Sequence, residues 1–192
     1  MLLIGALTAQ PALAEGEYEQ GKLLAYTCLG CHGIEGYRNA YPSYRVPRLG
    51  GQRAAYIEAA LYAYRNGNRP HPTMQAHGGS LSDKDIQQLA VYFESLGAAA
   101  DEIDVEMVAG VGAAAICVTC HGVDGAGVVP QPPVLSGQQK DYLVHALQQY
   151  RDGSRSGTVM SAFAAPLSDA DITMLAGFYA SRDGLQTPVD AK

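Results

Sequence analysis

The sequence predicts an all-α protein built from one helical domain repeated in tandem, on three observations. First, the chain repeats itself: Pro47-Arg48-Leu49-Gly50-Gly51-Gln52 returns 86 positions later as Pro133-Val134-Leu135-Ser136-Gly137-Gln138. The same offset carries Tyr56 to Tyr142, Leu61 to Leu147, Tyr64-Arg65 to Tyr150-Arg151, Gly67 to Gly153, Arg69 to Arg155, Met74 to Met160 and Leu81-Ser82-Asp83 to Leu167-Ser168-Asp169. Self-similarity at a fixed offset marks a duplicated structural unit. Second, apolar residues recur at helical spacing behind recognisable capping residues. Third, no strand-like alternation competes with them.

The shortest repeated stretch is also the most informative. Cys28-Leu29-Gly30-Cys31-His32 recurs as Cys117-Val118-Thr119-Cys120-His121, and these motifs hold all 4 cysteines of the 192-residue chain. On a helix, positions three and four apart share a face, so both sulfurs and the imidazole can meet one planar group. Such a pair of cysteines can also be half a zinc site, a redox pair or a disulfide. Zinc ribbons, however, place their second pair about 15–20 residues on, whereas Cys28 and Cys117 stand 89 positions apart. A thioredoxin-like pair has no need of the following histidine. Cys-x-x-Cys-His is the attachment signal of a c-type haem. The sequence thus predicts two haem c groups, thioether-linked at Cys28, Cys31, Cys117 and Cys120, with His32 and His121 as proximal ligands to iron. In domains this small, two such apolar groups would be central parts of the cores.

The elements follow in order. Residues 1–14 read as a secretory signal: Leu2 to Ala14 carries no charge and ends in Ala12-Leu13-Ala14 ahead of Glu15, although the usual basic n-region is absent. The stretch is shorter than the roughly 17 residues a membrane span needs. The first domain is expected over 15–97. In it, Glu17 to Tyr26 forms a helix leading into the haem motif, and a loop rich in Tyr, Arg and Pro follows from Gly33 to Gly51. A second helix runs from Ala54 to Arg65, with Ile57, Ala60, Leu61 and Tyr64 on one stripe and Gly67 as its stop. Arg69 to Ser80 reads as a loop. The last helix opens with Ser82 as N-cap, Asp85 at the capping-box position and Leu81 stapled onto Ile86; its stripe is Ile86, Leu89, Phe93 and Leu96. Ser168, Asp171, Leu167 and Ile172 repeat this start ahead of Leu175 and Tyr179. Residues 98–104 form a linker, 105–184 the second domain and 185–192 a loose tail.

A haem iron bound by one histidine needs a sixth ligand or an open site. Met74 and Met160 are the candidates, because both copies keep Met at this position while its neighbours change. Met107 and Met174 have no counterpart and are expected to be packing residues. His71 and His77 correspond to Gly157 and Phe163 and read as exposed loop residues, with a bis-histidine first haem as the sharper alternative. His145, at the position of Ala59, reads as a surface residue.

Composition narrows the class further. With 12 Tyr and no Trp, the aromatic mass is mostly amphipathic, and its hydroxyls can bond haem propionates or backbone. Residues 15–100 carry eight Lys or Arg against eight Asp or Glu, and residues 101–192 five against eleven, so the whole net charge of −6 lies in the second half. This is not the footprint of a nucleic-acid binder. A charge difference between halves can orient a protein on a redox partner. It also predicts the higher reduction potential for the first haem, with Arg38, Arg45 and Arg48 near its loop.

Two Cys-x-x-Cys-His motifs, each followed by Pro-x-Leu-x-Gly-Gln, a Tyr-bearing helix, a Met and a Leu-Ser-Asp-capped helix, resemble the dihaem cytochrome c4 family, two class I cytochrome c domains in tandem. The resemblance covers nearly all of the chain after residue 14. It implies that the carbonyls of Pro47 and Pro133 accept the ring N–H of His32 and His121, and that Gly21 and Gly110 let the first helix of each domain cross closely over the last. It implies an electron carrier of the bacterial periplasm, not an enzyme, passing electrons between redox proteins and often towards terminal oxidases. The alternative is the dihaem subunit of a flavocytochrome c sulfide dehydrogenase, partnered by a flavoprotein. One departure stands out: the loop Gly36 to Arg45 is longer, more aromatic and more basic than Gly125 to Pro132, and is expected to hold propionates or form a docking surface.

Overall fold

The computed structural model describes residues 10–97, 115–127 and 132–189, with side chains from residue 16 onward. The described residues are helical, with no strand and only two isolated bridges, Arg38 with Arg45 and Gly50 with Gln186. The first half contains α1 (Gln10–Leu24), α2 (Tyr26–His32), α3 (Ala54–Arg65), α4 (Pro72–Ser80) and α5 (Asp83–Ser95). The second contains α6 (Val118–His121), α7 (Lys140–Asp152), α8 (Met160–Ala164) and α9 (Asp169–Ala180). The proposed signal cleavage after Ala14 falls within α1, whose first residues are described by backbone alone. The linker, Met107 and Gly110 lie outside the described residues. No helix among those described is long and apolar enough to cross a membrane.

The last helix of each half starts as its sequence dictates. Ser82 Oγ accepts from Asp85 N at 3.1 Å while the Asp85 carboxylate accepts from Ser82 N at 2.8 Å, and Ser168 with Asp171 repeats this at 3.2 and 3.0 Å. Reciprocal capping satisfies two of the orphan donors of a helix start. Ile86, Leu89 and Phe93 are buried on one stripe of α5, as are Ile172, Leu175 and Tyr179 on α9. Helix α1 crosses α5 at Gly21, where a Cβ would meet Gln88 O at 2.1 Å and Tyr92 Cβ at 2.9 Å. Only glycine allows that approach. Helix α3 ends as expected, with Gly67 beyond it at φ +78°.

Three expectations need correction. The segment Arg69 to Ser80 is mostly helix, not loop: Pro72 occupies the first turn of α4, where its missing N–H costs nothing, and His71 caps it. Glycines near its end hide the helix from a propensity reading, but Gly78 is buried against α3, where a Cβ would meet Leu61 O at 3.0 Å. The described part of the tail is not loose. Leu185 is buried, Gln186 exchanges two backbone hydrogen bonds with Gly50 at 3.0 Å each, and Thr187 Oγ1 donates to Glu35. Finally, His145 is half-buried against the first half, stacked on Tyr44 with ring centroids 4.2 Å apart.

The halves meet through the repeated polar residues. Gln52 donates to Val134 O at 3.0 Å and accepts from Val134 N at 2.9 Å; its counterpart Gln138 donates to Arg48 O at 3.0 Å and accepts from Arg48 N at 2.8 Å. Arg69 donates to the Tyr142 hydroxyl at 2.5 Å, and Arg155 to the Tyr56 hydroxyl at 2.8 Å. Each contact is its partner's image under the repeat, so the two copies share one approximately two-fold interface. The loop 36–45 lies on it: Tyr44 joins the core formed by Tyr142, Leu143, Ala146, Ala176 and Tyr179, and Arg38 and Arg45 both reach Asp141, at 3.0 and 3.6 Å.

Candidate haem sites

The first motif lies on α2, one helical segment carrying Cys28, Cys31 and His32. Its two cysteines are not joined in a disulfide. His32 Nδ1 lies 2.8 Å from Pro47 O and donates to it, which leaves Nε2 as the basic nitrogen, the orientation a ligating imidazole needs. Burial pushes the His32 pKa down to about 4, with the cationic Arg69 adding to the effect against the Pro47 carbonyl. The ring is therefore neutral and able to donate a lone pair. Met74 on α4 and Cys28 pack against the same core of Ile57, Leu61, Ile86 and Leu89.

The second site repeats this arrangement. His121 Nδ1 donates to Pro133 O at 3.2 Å, and burial lowers its pKa as well. Cys117, Cys120, His121 and Met160 all line one cavity of about 580 Å³, within the roughly 300–1,000 Å³ of sites for cofactor-sized molecules. Tyr56 and Arg69 of the first half line it too. Met174, by contrast, lies 40% exposed on α9.

Two features of the lining test whether a haem fits. Arg69 and Arg155 are buried, each with its guanidinium 4.4 Å from a tyrosine ring centroid, Tyr64 and Tyr150 respectively. Among the described residues no carboxylate pairs with either. Buried charges without a counter-ion are costly, and the propionates of two haems would supply such anions. The hydroxyl of the lining residue Tyr179 is buried and has no hydrogen-bond partner among the described residues. Among the described residues no cluster of three or more His, Cys, Asp or Glu is arranged to hold a bare metal ion. The residues fit the group.

Sequence reasoning singled out the cysteines, histidines and methionines as candidates but missed the contacts of Gln52, Gln138, Arg69, Arg155, Tyr56 and Tyr142 across the interface. Their signal was present in the offset, since polar residues kept in both copies need a reason other than packing.

Residues 12–93 match the family model described as cytochrome c oxidase, cbb3-type, subunit III, and residues 109–181 match that of cytochrome c. Two c-type cytochrome domains in tandem, carrying two haem c groups, define a dihaem cytochrome. The thiosulfate dehydrogenase electron acceptor of Stutzerimonas stutzeri is 31% identical over 93% of this chain and 90% of its own. The crystal structure of reduced recombinant cytochrome c4 from Pseudomonas stutzeri superposes with a TM-score of 0.70 at 27% identity, covering 86% of this chain and 98% of that one. The cytochrome subunit of sulfide dehydrogenase from Chlorobaculum tepidum matches over 46% of this chain and 76% of its own, at 32% identity. The chain belongs to the cytochrome c4 family of dihaem electron carriers.

Proposed function

We propose that this protein is a periplasmic carrier that accepts electrons from a dehydrogenase and passes them on towards a respiratory acceptor such as a terminal oxidase. The observation that carries the reading is the pair of histidine contacts, His32 to Pro47 and His121 to Pro133, which presents a neutral Nε2 in both copies. Cys28 and Cys31 would hold one haem and Cys117 and Cys120 the other, with His32 and Met74, and His121 and Met160, as axial ligand pairs. A bound haem supplies reversible one-electron chemistry at iron. The chain's own work would be to keep the rest still: proline carbonyls fix the imidazoles, while α4 and α8 would present the thioethers and Arg69 and Arg155 would hold propionates.

As donor, a thiosulfate-oxidising dehydrogenase is favoured over a sulfide-oxidising flavoprotein, because similarity to the acceptor of the former runs through both halves while that to the subunit of the latter spans less than half of this chain. The apolar segment ending at Ala14 supports export to the periplasm. Purified protein is expected to give two c-type haems per chain, both low-spin, and to be reduced faster by a thiosulfate dehydrogenase than by a sulfide-oxidising flavoprotein. Tight co-purification with a flavoprotein would reverse the choice of donor. High-spin iron in both halves at neutral pH would overturn the carrier reading.

A further inference from the structure

His71, expected to be an exposed loop residue or an alternative iron ligand, is half-buried and engaged at both ring nitrogens. Its Nδ1 accepts from Met74 N at 3.3 Å, making it the N-cap of α4, and its Nε2 faces Asn39 Oδ1 at 3.1 Å. One neutral tautomer satisfies both contacts, with Nε2–H donating to Asn39 and Nδ1 accepting from Met74. With both nitrogens engaged, His71 has none left for iron.

The contacts continue across the interface. Asn39 N donates to Tyr44 O at 2.9 Å, and the Tyr44 ring stacks on His145 of α7 within the second half's core. An unbroken series of contacts therefore runs from α7 through Tyr44, Asn39 and His71 to the backbone of Met74. The second copy has no counterpart. Gly157 stands where His71 does, and Met160 N is held by Thr158 Oγ1 at 3.2 Å, two residues away on its own segment.

We propose that His71 is the positioning residue that seats Met74 over the first haem, and that docking of the loop 36–45 on the second half holds His71 in place. The first haem's ligation is then coupled to the domain interface, while the second haem's is set locally. This rests on the reading of Met74 as an iron ligand. Free in solution, a thioether is a weak competitor for iron, so its occupancy depends on how well the helix start that carries it is fixed.

The test uses the full dihaem protein. Ferrous axial methionines give upfield-shifted methyl signals in proton NMR, and Met74→Ala and Met160→Ala assign one signal to each haem. His71→Ala is expected to broaden or remove only the Met74 signal and to tighten imidazole binding at the first haem about fivefold, the scale of one lost N-cap. His71→Asn, which can cap the helix, should restore the Met74 signal. His145→Ala, in the other half, should tighten imidazole binding at the first haem and leave the Met160 signal unchanged. Total haem per chain confirms that each variant is assembled. Unchanged signals and imidazole affinities in His71→Ala overturn the proposal, as does equal loss at both haems. If Met74→Ala removes neither signal, the ligand reading itself fails and takes this inference with it.

Discussion

Arg69 and Arg155 show how much a single side chain reveals once its image in the other copy is known. Each donates to a tyrosine of the opposite half, and each is buried beside the second cavity without a described carboxylate. Their combined field pulls the Tyr56 phenol below its usual range even though burial pushes it up. The two Cys-x-x-Cys-His motifs were legible because the chemistry they are proposed to perform demands a fixed local spacing. The arginines were not, because their partners lie across an interface that no local pattern encodes. Methionine falls between these cases, and only the repeat separates Met160, in the cavity wall, from Met174, exposed on α9. Replacing Met160 with Ala should leave the second haem attached, open its iron to imidazole and lower its potential, since methionine ligation raises the potential. Met174→Ala should change neither spectrum nor potential. Equal effects from the two changes would disprove the assignment.

At the level of elements, α3 and the start of α5 could be read from stripe and cap, but α4 could not. Its helix is stabilised by a histidine cap, by Gly78 seated against α3, and by Arg65, which donates to Gly78 O at 3.1 Å and Leu81 O at 2.6 Å. These are tertiary causes, invisible to propensity. The same holds for the crossing of α1 over α5. Gly21→Ala is predicted to cost the first half about 3 kcal/mol, the upper end for overpacking, because the added methyl meets backbone at Gln88; thermal unfolding of the dihaem protein measures it. The tail makes a further case. Glu35 accepts from Arg48 at 2.7 Å and from Thr187 and Gln139, joining the haem loop, the tail and α7's start. These bonds, with Arg48 the largest influence, hold its carboxyl down to about 2 against an ordinary 4.5. A depressed carboxylate stabilises the fold above its unfolded pKa, and that contribution is lost as pH falls from 4.5 through about 2. Half of the side chain is exposed, so solvent screening keeps the effect small. Wild-type protein should lose more thermal stability across that window than Glu35→Gln, and parallel curves would rule the contribution out.

The whole molecule sets two unequal haem-binding motifs in two copies joined by a nearly symmetric interface, and the question it poses is which iron would hold its electron more tightly. From charge alone, the first haem should have the higher potential, because the net −6 lies in the second half. The structure removes part of that argument: Arg38 and Arg45 share Asp141, and Arg48 is paired with Glu35, so two of the three positive charges near the first haem loop are offset by carboxylates. It supplies another. Arg69 is buried and acts on His32; Arg69 and Arg155 also line the second cavity, but the influences on the His121 ring are burial and the Pro133 carbonyl, with no cation among them. A buried cation near iron favours the ferrous state and works through a lower dielectric than any surface charge. The two causes respond differently to salt. Surface charges are screened over about 8 Å at physiological ionic strength, so a potential gap set by the acidic second half should shrink as salt is added, while one set by Arg69 should persist. The expectation is that the first haem titrates at the higher potential, that the gap survives high salt, and that Arg69→Gln narrows it. Redox titrations of wild type and Met160→Ala identify the waves, since the one displaced in the variant belongs to the second haem. If that wave is the higher of the two, hydrogen bonding or solvent exposure at the second iron outweighs both charge effects, and the assigned order is reversed.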